Sequence, residues 1–214
     1  TNISVTGGLI SRSEVVRGKF ENVKLHVSEL INITPVVVGT AGYAGLLVPS
    51  ANSTSFRNIT INFFGPDNAV MVSANNDTTT NTINAGLLAG SIVQASKYEA
   101  VKIQDISIRQ NNHATNPIML LKVDRIKDSE TSSETSRETN NVGLYVGSIT
   151  TASEGNVAAV VLSAKAPDVW NGTTPVNENG VQSIIEVTGD GGAVNFGGYY
   201  GSVQAAGTTL TLYK

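Results

Sequence analysis

Cysteine is missing altogether from the 214 residues, which excludes a disulfide framework, thiolate metal sites and a cysteine nucleophile together. The compartment stays open on that ground, because a large β core can dispense with disulfides. Charge is scarce as well: Asp, Glu, Lys and Arg make up 14% of the chain, against roughly 25% in an average soluble domain. The 14 Lys and Arg are set against 17 Asp and Glu, with no basic run. That leaves no electrostatic footprint for phosphates, so a nucleic-acid partner is not expected. No apolar run approaches the ~18 residues of a membrane helix. The longest, Val157 to Leu162, is six, so no membrane insertion is expected.

What fills the gap is β-branched and turn-forming: 25 Val, 16 Ile and 22 Thr, with 21 Gly and 21 Asn. This composition excludes a mainly helical protein. It also excludes a disordered one, since 40% apolar residues at a net charge of −3 do not resist collapse. The chain opens on Thr1 with no charged-then-apolar leader. The expectation is a removed leader or a piece of a longer chain.

Self-similarity is the strongest signal. Gly86-Leu-Leu-Ala-Gly-Ser91 returns as Gly143-Leu-Tyr-Val-Gly-Ser148 and again as Gly197-Gly-Tyr-Tyr-Gly-Ser202, with looser copies at Gly45 and Gly8. The leading glycines are 37, 41, 57 and 54 residues apart. A second phrase trails each copy: Phe20-Glu-Asn22-Val-Lys-Leu25, Phe56-Arg-Asn58-Ile-Thr-Ile61 and Ile103-Gln-Asp105-Ile-Ser-Ile108, then more weakly around Asn156 and Thr209. A third apolar patch completes four units, at Val36 to Val38, Ala69 to Val72, Ile118 to Val123 and Ile184 to Val187.

Each repeat thus reads as three short strands between Gly/Asn/Ser corners, alternating with period two; Val23, Leu25 and Val27 share a face. One unit cannot bury its own apolar face, whereas stacking like strands in parallel makes a continuous core. The expected fold is all-β, a right-handed parallel β-helix (β-solenoid) of about five irregular coils. The alternative is a β-sandwich, which also uses short strands but gives no reason for in-phase repeats. A single domain over 1–214 is expected, with polar loop insertions at 127–141 and 166–180.

The Gly-Leu-x-x-Gly phrase at Gly86 and Gly143, each followed by an apolar strand, resembles the GLUG motif of repeat regions in bacterial and protist surface proteins. The copy at Gly197 carries Gly198 in place of Leu, and the copies at Gly45 and Gly8 carry Pro49 and Arg12 at the second glycine. The resemblance implies an extracellular or cell-surface β-solenoid stalk or adhesin segment rather than a catalytic unit.

A search for chemistry turns up little. Polysaccharide-active β-helix enzymes need clustered carboxylates. The seven Asp here are spread out, and Asp124, Arg125 and Asp128 are the only candidates for that rival reading. His26 and His113 lie about two repeats apart and read as a surface and a turn residue, not a metal or Ser-His pair. Gly189-Asp-Gly-Gly192 is a turn without the flanking carboxylates of a calcium loop. No cofactor and no metal are expected, and the protein is read as a non-enzyme.

Four sets of residues are singled out. Asn22, Asn58, Asp105, Asn156 and Thr209 fall at one phase of the repeat and are expected to stack as a structural polar ladder at a corner. Of six Asn-x-Ser/Thr sequons, Asn76 and Asn171 are the candidate glycosylation sites, and Asn58 the least suited because the repeat puts it at a packed corner. Trp170, the only tryptophan, is a candidate carbohydrate or partner contact. Tyr199 and Tyr200 occupy a Leu/Ala/Val slot and are candidates to cap the core end or face a partner.

Neither chain end carries an amphipathic helix or a charged or Pro-blocked edge strand by this reading. End-to-end self-association, or pairing with neighbouring domains of a longer chain, is therefore expected. The functional expectation is a non-enzymatic extracellular structural or adhesive module, a building block of a surface fibre, filament or adhesin. A glycan-binding module or a polysaccharide-active enzyme is the alternative.

Overall fold

A computed structural model of the protein describes residues 2–65, 72–75, 82–96, 98–111, 120–124, 140–151, 160–165, 168–171, 174–175, 185–188, 194–204 and 208–213. Every regular element among them is a β-strand. The strands form four sheets, each with its neighbours drawn from successive repeats.

Sheet I holds β1 (Ile3–Thr6), β5 (Ile31–Thr34), β10 (Val72–Asn75), β14 (Leu121–Asp124) and β20 (Ile185–Thr188), in that order. Sheet II runs from β6 (Val36–Val38) through β7 (Ala41–Gly45), β11 (Thr82–Gly86) and β15 (Asn140–Gly143) to β21 (Val194–Gly197). Sheet III runs β2 (Val15–Val16), β8 (Val48–Asn52), β12 (Ala89–Gln94), β16 (Val146–Thr151) and β22 (Tyr200–Gln204). In sheet IV, β3 (Lys19–Glu21) and β4 (Lys24–Val27) pair with β9 (Ser55–Phe63), and β9 pairs with β13 (Val101–Asn111). Beyond β13 lie β17 (Val160–Lys165), β23 (Thr208–Tyr213), β18 (Asp168–Asn171) and β19 (Thr174–Pro175). All pairings are parallel except β6 with β7 and β18 with β19.

From β7 onward the chain visits sheets II, III, IV and I in the same order in each repeat. The sequence reading of three strands per repeat therefore misses one, the short strand that leads into each corner glycine. That strand is rich in Asn, Gly and Ala and carries no apolar run (Ala41–Gly45, Thr82–Gly86). Val36 to Val38 is also reassigned: the partner of Val72 and Ala74 is Ile31 and Ile33, so β5 completes the first unit and β6 lies elsewhere. The segment 166–180, expected to be a polar loop, contains the β18–β19 hairpin, with Trp170 opposite Pro175. Asn140 and Asn141, placed in the other insertion, belong to β15.

Several equivalent positions of the sequence phrases pair with one another. Ser50, Ser91, Ser148 and Ser202 are successive partners across sheet III, and Phe20, Phe56 and Ile103 across sheet IV. The residues after three of the leading glycines, Gly45, Gly86 and Gly143, turn inward: Leu46, Leu87, Leu88, Leu144 and Tyr145 are fully buried. Burying each such side chain contributes about 1.5–3 kcal/mol. Phe20 stacks on Phe56 at 5.0 Å, which extends the core toward the first repeat.

Sterics explain both glycines of the phrase. A Cβ on Gly86 would lie 2.6 Å from the Tyr145 carbonyl oxygen and 2.7 Å from that of Ala89, so the corner closes only without a side chain. A Cβ on Gly147 would lie 2.5 Å from Ala85 N and from Gly90 O, backbone that belongs to the preceding repeat. The first glycine makes the bend, and the second lets adjacent repeats approach.

Candidate functional site

Chemistry-bearing side chains collect in three polar arrays, two at corners and one within sheet II. The first contains three of the five residues expected to form a ladder. The pairs Glu21–Arg57 and Lys24–Thr60 bracket Asn22 against Asn58, and the pairs of Gln104 with Arg57 and Ile106 with Ile59 bracket Asp105 against Asn58. All three have left-handed backbone, with φ of 59° at Asn22, 51° at Asn58 and 57° at Asp105. Asn and Asp tolerate this conformation better than other residues with a Cβ. Asn58 Nδ2 donates to Asn22 Oδ1 at 2.6 Å, while the backbone ladder closes around them through Thr60 N to Val23 O at 2.8 Å.

Two assignments change. Thr209 pairs with Val161, which pairs with Lys102, three residues before Asp105; it is not at the ladder position. In that register Leu210 lies opposite Leu162 and Leu212 opposite Ala164. Asn58 is exposed rather than packed, because its left-handed corner turns the side chain out along the stack. Asn156 lies outside the described residues.

A second array was missed in the sequence. Asn141 Nδ2 donates to Asn84 Oδ1 at 2.8 Å, and Asn195 Nδ2 donates to Asn141 Oδ1 at 2.9 Å. The three stand two residues before Gly86, Gly143 and Gly197, an Asn-x-Gly signal visible in the repeat. Tyr43 holds that position in the earlier unit. Asn140 Oδ1 accepts from Ile83 N at 2.8 Å on the same sheet.

The third array is the corner between sheets III and IV. Thr54 is fully buried; its Oγ1 accepts from Gly18 N and lies 3.0 Å from the Val15 and Asn52 carbonyl oxygens. Ser53 Oγ accepts from Ser96 N at 2.8 Å and donates to Asn52 Oδ1 at 3.0 Å. Gln94, also fully buried, donates from Nε2 to Ser96 O at 2.8 Å. These hydroxyls and amides satisfy backbone groups where strands end, which buried corners require. Beside them Tyr98 is 80% exposed.

At the last repeat, Tyr145 packs against Tyr199 (ring centroids 5.3 Å apart) and, edge-on, against Tyr200 (5.8 Å). The Tyr200 hydroxyl donates to Ser163 O. Burial pushes the phenols of Tyr199 and Tyr200 above the ordinary range, and the Tyr145 phenol adds to the shift at Tyr200. Both tyrosines are only partly buried and pack against the core.

The remaining candidates do not converge. Trp170 and Asn171 lie in β18, where the Trp170 backbone pairs with Asn111. Asp124 ends β14 opposite Asn75 and Thr188. His26 is exposed on β4 and stacks on Phe64 at 5.7 Å. Asn76, His113, Arg125, Asp128 and Gly189 to Gly192 lie outside the described residues. Among the described residues, no three His, Asp or Glu side chains are grouped to hold a metal. Glu21 and Arg57 form an ion pair at 3.6 Å with both side chains half exposed, a geometry that contributes little.

No protein-family model, no curated protein and no solved structure matches this chain. What the described residues define is a class, an all-β protein with parallel sheets.

Proposed function

We propose that the chain is a right-handed parallel β-helix of about five irregular coils and serves as a non-enzymatic structural or adhesive module. It works at the cell surface or outside the cell, as a building block of a fibre, filament or adhesin. The observation that carries the solenoid reading is the run Ser50–Ser91–Ser148–Ser202, four equivalent residues of successive repeats paired in parallel. A β-sandwich is built from antiparallel sheets, so the parallel pairings favour the solenoid.

The repeated polar positions also support a structural role. Asn22 with Asn58, and Asn84 with Asn141 and Asn195, spend their amides on each other along the stack. The Thr54 and Ser53 hydroxyls accept from corner backbone N–H groups. Polar side chains spent on one another suit a spacer or scaffold. The GLUG-like phrase at Gly86 and Gly143 supports the extracellular setting. Partners under this reading are further copies joined end to end, or neighbouring domains, and a surface carbohydrate. No cofactor is involved.

Antibody raised against the purified chain should label intact source cells or their shed fraction. Labelling only after permeabilisation would refute the surface assignment. Incubation with a panel of uronic-acid polymers should release neither reducing ends nor unsaturated products. Release of either would replace the structural reading with the enzymatic one.

A further inference from the structure

Sheet II breaks its own pattern at one edge. Strands β7, β11, β15 and β21 pair in parallel, but the outermost strand, β6, runs antiparallel to β7, with Val36, Val37 and Val38 opposite Tyr43, Gly42 and Ala41. The first repeat supplies no strand here. It passes from β1 through Gly7 and Gly8 straight to the corner, reaching the edge only where Gly7 O accepts from Gly45 N at 3.2 Å. Strand β6 fills the vacancy by folding back. Pro35 precedes it, and Gly39, at φ 64° with open space around it, makes the turn into β7.

Side-chain burial in β6 is confined to Val36, which is half-buried. Val37 is 45% exposed and Val38 63% exposed. What β6 provides is backbone pairing for β7, whose edge would otherwise present a row of free N–H and C=O groups.

We propose that β6 is an edge guard, holding the β7 edge shut against strand addition by a second copy of this chain. The second copy is the fitting occupant because this chain makes the matching strand repeatedly. On its other side β7 pairs from Ala41 to Gly45 with β11, and β21 is the outer strand of the same sheet at the opposite edge. A copy offering β21 would continue sheet II in parallel once β6 has peeled away. The inference rests on the end-to-end reading for its partner and adds a gate to it.

The test uses the whole chain and a double variant, Val36→Pro with Val38→Pro, since proline lacks the N–H that strand pairing needs. In the parent, amides of β7 should exchange as slowly as those of β11. In the variant the β7 amides that face away from β11 should exchange freely at concentrations where it is monomeric, and the weight-average mass by sedimentation equilibrium should at least double with concentration. Free exchange of β7 amides in the parent would overturn the guard without any variant. Exposed β7 amides in a variant that stays monomeric would overturn the second copy as occupant, and the end-to-end reading at this edge with it. A parent that already assembles, to the same extent as the variant, would refute the guard and leave end-to-end association standing. Val37→Thr with Val38→Thr keeps pairing and removes the apolar exposure, so its mass should match the parent. If it changes association, the valines themselves are the contact and the guard fails. Should the proline variant not fold, parent exchange and the threonine variant decide.

Discussion

Asn58 donates its side-chain amide to the Asn22 carboxamide oxygen at 2.6 Å, and both residues hold a left-handed backbone at equivalent points of adjacent repeats. One residue type thus meets two demands. The left-handed bend lets the strand turn a corner, and the amide that faces along the stack finds its counterpart one repeat away.

This separates two substitutions at Asn58. Alanine loses the amide bond and also suffers in the left-handed region, so Asn58→Ala should cost about 1.5–3 kcal/mol. Glycine accepts the backbone, and Asn58→Gly should cost less than about 1 kcal/mol. Urea unfolding of both variants checks the order. Equal losses would mean that backbone conformation contributes nothing there.

Glycines 86 and 198 should respond oppositely to a methyl group. At Gly86 a Cβ meets backbone atoms at 2.6 and 2.7 Å that cannot give way, so Gly86→Ala should cost about 3 kcal/mol or more. At Gly198 no atom lies within 4 Å of the new Cβ, and Gly198→Ala should stabilise by about 0.4–1 kcal/mol through the unfolded chain. Thermal midpoints moving in the same direction would contradict this.

The central member of the second ladder serves both neighbours. Asn141→Ala removes the donor to Asn84 and the acceptor for Asn195. Asn84 is 6% exposed, and leaving its oxygen unpaired should make the loss about 1–3 kcal/mol. Asn195→Ala, at an exposed position, should cost less. Matched denaturation curves for the two check the ranking.

Alkaline pH should destabilise the fold through Tyr200. Its phenol is raised above the ordinary value of 10.0, chiefly by burial and then by Tyr145. Above that ordinary value the unfolded chain ionises while the folded one keeps its proton. The folded state then binds more protons, and stability falls as pH rises, by up to about 1.4 kcal/mol per pH unit. Below it the contribution is complete. Tyr200→Phe should flatten the slope above this point, although it also loses the bond to Ser163 O. Unfolding midpoints measured through the alkaline range for both proteins check this, and an unchanged slope would exclude Tyr200 as its source.

Legibility followed the strength of the local pattern. The leading glycines, the buried pairs that follow them and the Asn22–Asn58–Asp105 phase were visible because each repeats in type at a fixed offset. Strands β7, β11, β15 and β21 were not, since four- or five-residue strands ending in glycine carry too short a hydrophobic pattern to register. The Asn84–Asn141–Asn195 ladder sat in those same strands and was overlooked with them. Val36 to Val38 misled because three valines look like a core strand, whereas Val37 and Val38 face out.

By itself, the sequence determined the β character, the phase of the repeats and the corner positions where only glycine, asparagine or aspartate fits. These are local properties, fixed by propensity, periodicity and the steric demands of single residues. Tertiary structure alone decided which strand partners which. It set Ile31 rather than Val36 beside Val72, moved Thr209 out of the ladder and turned β6 back onto β7. Each of those outcomes depends on which backbone edges remain unpaired once the repeats have stacked, and no window of sequence contains that information.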